Sequence, residues 1–300
     1  MRRNAIIGVA LAAAIALAGC GSSGSDKAAD TSPGGGSTTS TPGSSECGTV
    51  PAEASSFKPV VADTLTVVTS LPGPGFWEGS DTDPTKLTSG YEYDIAKCME
   101  ADFGLHKLVV ENKSFDAIVA GTITKYDLAL SQISITPERA KVVSFSVPYF
   151  QSQQGILMKA SATAPTTLEE AKKLNWGVQT STTAVDLLKS IGVNTPHSYS
   201  QLSDAYVALQ ADQIQAMLID TAINLGEAAR SNGKFKVVAQ FNQPGGPDQY
   251  GAILPKGSAN VSAVNAVFNA MQSGGQIKAL ADKDLTADPG TIPVIQIPTN

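Results

Sequence analysis

From residue 64 onward the apolar positions alternate between two spacings. Short runs dense in Val, Ile and Leu predict strands: "LTVVTS" (65–70), "HKLVVEN" (106–112), "DLALSQIS" (127–134) and "KVVSFS" (141–146). Between them, "GYEYDIAKCMEADFG" (90–104) and "SFDAIVAGTIT" (114–124) space their apolar residues at the helical period. Asp94 reads as the cap of the first helix, Gly104 as its stop and Ser114 as the cap of the second. The alternation then repeats. "TTLEEAKKL" (166–174), "TTAVDLLKSI" (182–191), "SDAYVALQAD" (203–212) and "TAINLGEAARSNG" (221–233) predict helices, and "NWGVQT" (175–180), "AMLID" (216–220) and "FKVVAQF" (235–241) predict strands. "QYGAILPKG" (249–257) adds a strand, and residues 260–285 add one or two helices capped by Asn260 or Ser262. Alternating strand and helix predicts an α/β architecture, and its repetition predicts two lobes. The last helical segment falls to the first lobe, whose set of elements is otherwise incomplete.

Ahead of this body stands "MRRNAIIGVALAAAIALAGC", with basic Arg2 and Arg3, an apolar run from Ala5 to Leu17, and small residues before Cys20. The pattern predicts a secretory signal peptide over 1–19, since the run is shorter than the roughly 20 residues of a membrane span. Leu17-Ala18-Gly19-Cys20 resembles a bacterial lipobox. That resemblance implies a lipidated Cys20 as the mature N-terminus and an extracytoplasmic protein held to the cell membrane by lipid alone; a cut elsewhere, with Cys20 incidental, is the alternative. Residues 20–58, rich in Gly, Ser, Thr and Pro, are expected to form a disordered tether.

Charge and rare residues narrow the function. Removing Arg2 and Arg3 from the 21 basic residues leaves 19 against 27 acidic ones, a net of −8 that argues against nucleic acid. The two histidines, His106 and His197, have no metal-ligand spacing, so neither a metal nor another cofactor is expected. Cys47 and Cys98 form an even pair in an oxidising compartment and are expected to be bridged. The alternative is a buried free thiol at Cys98, which shares a helix face with Ile95 and Met99.

Arg139 is the residue that does not fit a plain turn. It sits in "TPER" between two apolar strands, where a guanidinium needs a partner that the neighbouring sequence does not supply. Ligands of open α/β sheets bind beyond the carboxyl ends of the strands. At those positions stand Ser70, with Phe76 and Trp77 a little further on, then Gln132, Ser134 and Arg139. Gln179 and Ser181, Thr182 and Thr183 follow the next strand, and Asp220 the one after. Each alone fits a structural role, with Ser181 to Thr183 and Asp220 as helix caps and Phe76 and Trp77 as core. Together they describe one ligand. Arg139, hydroxyls and free helix N–H groups suit a carboxylate, Asp220 suits an ammonium, and an aromatic wall suits the carbon skeleton between. That ligand is an α-amino acid.

Over about residues 64–285 the chain resembles the amino-acid-binding family 3 of bacterial extracellular solute-binding proteins, which serve ABC importers. The likeness is carried by "GYEYDIAKCM", "DLALSQISITPERAKVVSFSVPYF", "WGVQTSTTAVDLL" and "QYGAILPKG". It implies a two-lobed, periplasmic-binding-protein-like (type II) α/β fold with two crossover hinge strands. Lobe 1 would span 64–150 plus 246–300, and lobe 2 would span 151–245. By position it implies that Arg139, assisted by Ser134, takes the ligand carboxylate and Asp220 the ammonium. Thr182 and Thr183 would be the second-lobe helix start, and Phe115, Ser131 and Gln132 would line the ligand. Ser181 departs from the Gly frequent in the family, Gln215 from an Asp, and Gly73 from a ring that Phe76 or Trp77 would replace. Ser70 stands where relatives that bind cationic amino acids tend to carry an acid, so a glutamine-, glutamate- or asparagine-like ligand is expected. The implied partners are that free amino acid and ABC permease subunits, with the protein itself a monomer. Some dehydratases and lytic transglycosylases share the fold, but no Ser-His-Asp or Cys-His arrangement is visible, so no enzyme is expected. A lipoprotein presenting its ligand to a membrane kinase is the other alternative.

Overall fold

The computed structural model describes residues 47–288 and 290–298. The expected signal peptide, Cys20 and the first part of the tether lie outside the described residues. β1 (Thr64–Thr69) is buried along its whole length, as its unbroken β-branched run requires. α1 (Tyr91–Asp102) follows, and starts at Gly90 rather than at Asp94. Gly90 has φ 116°, and a Cβ there would meet the Phe76 carbonyl oxygen at 2.5 Å, so only glycine can make this turn. Asp94, inside the first turn, instead accepts from Lys283 Nζ at 2.6 Å.

The first sheet continues through β2 (Lys107–Asn112), α2 (Phe115–Val119), β3 (Leu128–Ala129), α3 (Pro137–Ala140) and β4 (Val143–Phe145). Ser114 precedes α2 but makes no side-chain cap bond. β5 (Phe150–Ser152) then leads to β6 (Gln154–Lys159), α4 (Leu168–Ala171), β7 (Trp176–Gln179), α5 (Thr183–Ser190), β8 (His197–Tyr199), α6 (Leu202–Gln210), β9 (Ala216–Asp220), α7 (Thr221–Arg230) and β10 (Phe235–Asn242). The chain returns through β11 (Asp248–Tyr250) to β12 (Ile253–Pro255), α8 (Val261–Ser273) and α9 (Gln276–Asp284), and ends on β13 (Val294–Gln296).

Two sheets result, in the orders β2-β1-β3-β12-β4 and β13-β10-β6-β9-β7-β8. β5 and β11 pair antiparallel as the two crossover strands between them, with Tyr250 opposite Phe150. This is the two-lobed α/β arrangement expected, with two corrections to its boundaries. β13 pairs in parallel with β10, so the last strand joins the second sheet although 246–300 was expected wholly in lobe 1. The outer edge of the eight-residue β10 offers it unpaired backbone groups, and Ile295 and Ile297 are buried in the second-lobe core.

The second correction concerns 47–58, which is packed rather than disordered. Cys47 is bridged to Cys98 of α1 with S–S 2.09 Å. Phe57 stacks on Phe103 with ring centroids 3.9 Å apart, and Asn260 clasps the Lys58 backbone at both its N–H and its carbonyl, each at 2.9 Å. Asp127 binds Val60 N and Thr66 N with its two carboxylate oxygens, at 2.7 and 2.8 Å. These contacts supply the apolar burial and hydrogen bonds that the local composition lacks. The bridge spans a sequence separation of 51 residues, for which chain-entropy arguments give about 4 kcal/mol of stabilisation. Reduction is therefore expected to lower the urea midpoint of unfolding markedly; an unchanged midpoint with both thiols alkylated would rule out a structural role for the bridge.

Candidate functional site

The carboxyl ends of β1 and β3 face those of β7 and β9 across one cavity. The first lobe contributes Ser70 at the end of β1, Phe115 at the start of α2, and Ser131, Gln132, Ser134 and Arg139 from the β3–α3 stretch. The second contributes Gln179 from β7, Thr182 and Thr183 at the start of α5, and Asp220 at the end of β9. Ten of the twelve predicted binding residues are thus brought together.

Phe76 and Trp77 are not among them. Both are core residues, at 0% and 2% exposure, with Phe76 packed edge-on to Tyr91 and Phe150. Phe76 N and Trp77 N both donate to the Gly73 carbonyl, and that tight turn folds the two rings beneath the sheet end. The aromatic wall is Phe115 instead, whose ring centre lies 5.4 Å from Arg139 Cζ. Leu202, Ile219 and Ile223 also line the cavity. Nothing in the sequence separates these three from ordinary core positions.

Arg139 is held by carbonyls and not by a carboxylate. Thr136 Oγ1 caps α3 by accepting from Arg139 N at 3.2 Å. The guanidinium donates to Ser134 O at 2.7 Å in its own lobe and to Ser181 O at 2.8 Å in the other. Ser181 adopts φ 60°, the left-handed region, on the turn whose carbonyl meets the arginine. Burial pulls the Arg139 pKa down, opposed by the charges of Asp220, Asp248 and Asp186. Its remaining N–H groups are available to an anion. Thr182 occupies the N-cap position of α5, yet its hydroxyl donates back to Gln179 O at 2.7 Å, so the side chain does not cap the helix.

Asp220 is the opposite pole. It is 4% exposed, and its Oδ1 has no hydrogen-bond partner among the described residues. It occupies the N-cap position of α7 but caps nothing. Burial first, then the charge of Asp248, pushes its pKa up to about 8. Asp248, on the hinge strand, accepts from Gln154 Nε2 at 2.7 Å and from Thr183 Oγ1 at 3.0 Å. Gln154 Oε1 is a second buried acceptor left without a donor.

Behind the first-lobe wall lies Glu92, in the first turn of α1. It is fully buried and accepts from Trp77 Nε1 at 2.7 Å, Gln132 N at 2.8 Å, Gln132 Nε2 at 2.6 Å and the Tyr149 hydroxyl. Burial raises its pKa, and these four donors work against that rise.

Direct bonds close the cleft around the cavity. Thr180 Oγ1 donates to the Asp116 carboxylate at 2.8 and 2.9 Å. On the other flank Arg230 of α7 reaches Asp81 at 2.5 Å, and Gly226 lets the Pro74 carbonyl approach to where a Cβ would stand 2.6 Å away. Among the described residues no group of three or more His, Cys, Asp and Glu side chains could hold a metal ion.

Comparison with known proteins points the same way. The family "Bacterial extracellular solute-binding proteins, family 3" matches residues 73–286. ABC transporter arginine-binding protein 1 of Escherichia coli (strain K12) is 24% identical over 201 residues, covering 65% of this chain and 80% of that protein. The L-cystine-binding protein TcyJ of Escherichia coli (strain K12) is 28% identical over 212 residues, covering 69% and 77%. Among solved structures, an ancestral arginine-binding protein bound to glutamine superposes with a TM-score of 0.65 at 25% identity, over 75% of this chain and 98% of that one.

The raised Asp220 pKa makes stability depend on pH. The folded-state value, about 8, stands above the ordinary 3.8, so the buried acid favours folding while protonated and loses that advantage as pH climbs from 3.8 toward 8. The limiting slope for one such group is about 1.4 kcal/mol per pH unit. Urea unfolding of the unliganded protein between pH 5 and 8 should show this decline, and Asp220→Asn should flatten it. Parallel curves for the two proteins would mean that Asp220 ionises normally.

Proposed function

This chain belongs to the bacterial extracellular solute-binding proteins, family 3, and on that premise we propose that it binds one free α-amino acid between its lobes and delivers it to ABC permease subunits. The observation that carries the reading is the pairing of Arg139 and Asp220 across one cavity. A buried guanidinium with no bonded carboxylate lines the same cavity as Asp220, whose buried Oδ1 makes no hydrogen bond among the described residues although the Tyr250 hydroxyl stands close to the carboxylate. An amino-acid zwitterion supplies both missing partners. Its carboxylate would take the free N–H groups of Arg139, the Ser134 hydroxyl and the backbone N–H groups at the start of α5. Its ammonium would take Asp220 Oδ1.

Besides the clamp residues the cavity is lined by the polar Ser70 and Gln132 and the apolar Leu202, Ile219 and Ile223. No acid stands there to meet a lysine or arginine head group, which supports a glutamine-, glutamate- or asparagine-like ligand. The relatives do not choose for this chain, since arginine, cystine and glutamine all occur among their named ligands. In this reading the protein is a monomer, held at the outer face of the membrane by a lipid on Cys20.

Calorimetric titration against the twenty amino acids tests the binding. Arg139→Ala and Asp220→Ala should each weaken the preferred ligand by about 3–5 kcal/mol, the usual effect of stranding one member of a buried ion pair. That is at least a hundredfold in Kd. Either variant binding within threefold of wild type would remove that residue from the clamp, and a wild type that binds no amino acid would end the proposal. The anchor has its own test: Cys20→Ala should release the protein from membranes or leave the precursor uncleaved, and full membrane retention would contradict it.

A further inference from the structure

We infer that Glu92 sets the side-chain specificity: it turns the Gln132 amide nitrogen toward itself and leaves the amide oxygen for a ligand, and the site selects amino acids ending in a hydrogen-bond donor over those ending in a carboxylate. The inference rests on the amino-acid reading of the cavity and makes it more specific.

The orientation of the amide follows from the bonds around Glu92. Its Oε1 accepts from Gln132 N and its Oε2 from Trp77 Nε1, and both of those groups can only donate. Gln132 Nε2 then lies 2.6 Å from Oε2, so the amide must turn its NH2 toward the carboxylate. Reversing it would set one carbonyl oxygen against another acceptor. The Glu92 bonds to the Gln132 N–H and side chain also clamp a non-glycine residue at φ 50°, which L side chains rarely adopt. Gln132 lines the cavity, and while Nε2 is held by Glu92 its Oε1 has no hydrogen-bond partner among the described residues.

The remaining partners of Glu92 leave this arrangement in place. Its hydrogen-bond partners are Trp77, Gln132 and Tyr149, all neutral. A terminal amide NH2, a hydroxyl or an ammonium meets Gln132 Oε1 as a donor, whereas a glutamate side chain meets an acceptor.

The test compares near-isosteric ligands by calorimetry at pH 7.5, where the glutamate side chain is ionised. Wild type should bind glutamine at least tenfold more tightly than glutamate and than methionine. Glu92→Gln, which frees the amide to turn, should bring glutamine and glutamate within threefold. Gln132→Met leaves Glu92 in place and should abolish the preference for glutamine over methionine, which covers the case of an unfolded Glu92 variant. Tightest binding by any amino acid with a donor-ended side chain, arginine included, supports the inference. Glutamate or an apolar amino acid binding as tightly as glutamine overturns it while leaving the zwitterion clamp intact, as does a folded Glu92→Gln that keeps the full discrimination. Binding of no amino acid at all would overturn both readings together.

Discussion

A buried guanidinium with two carbonyl partners and no counter-ion is an unusual thing for a fold to tolerate. Arg139 takes one carbonyl from each lobe, Ser134 O and Ser181 O, and so ties the closed arrangement together through an unneutralised charge. The Phe115 ring lies against the same group, its centre 5.4 Å from Arg139 Cζ. Much else serves this residue. Thr136 caps the short helix that carries it, Ser181 is held in a left-handed turn, and Asp220, Asp248 and Asp186 oppose the lowering of its pKa by burial.

Closure is distributed to both sides of that charge. Asp116 and Thr180 meet on one flank, Arg230 and Asp81 on the other, while Gly226 passes close to the Pro74 carbonyl. The ion pair is partly exposed and worth little by itself. The Asp116 bond is charge-assisted and half-buried, which makes it the stronger of the two. Beside these polar contacts one buried apolar cluster runs through both lobes, joining Leu65, Phe76 and Leu130 to Leu202, Ile219 and Ile223.

Most of the fold was legible, because strands such as Thr64–Thr69 and Ala216–Asp220 are buried throughout and read as unbroken apolar runs. The head-group site was legible for a related reason: Arg139 and Asp220 are polar residues at the carboxyl ends of such strands, where local chemistry and topology agree. What escaped depends on distant partners. The rings of Phe76 and Trp77 were misplaced because the Gly73 turn, not their own character, decides which way they face. β13 was missed because its partner strand lies some fifty residues earlier. The order in 47–58 comes from Cys98, Phe103 and Asn260, none of them near in sequence. Glu92 stayed invisible because an acid in a helix's first turn is commonplace, and only its four donors distinguish it.

The last strand bears on motion. α8 and α9 pack on the first lobe, while β13 is hydrogen-bonded into the sheet of the second. The polypeptide therefore passes between the lobes three times, twice through the paired strands β5 and β11 and once more on its way to β13. Two parallel straps allow both bending and torsion about their common line. A third strap attached off that line resists torsion and leaves bending as the soft coordinate. Opening should then follow one arc, so that Ser181 leaves Arg139 and returns to it along the same path in every cycle.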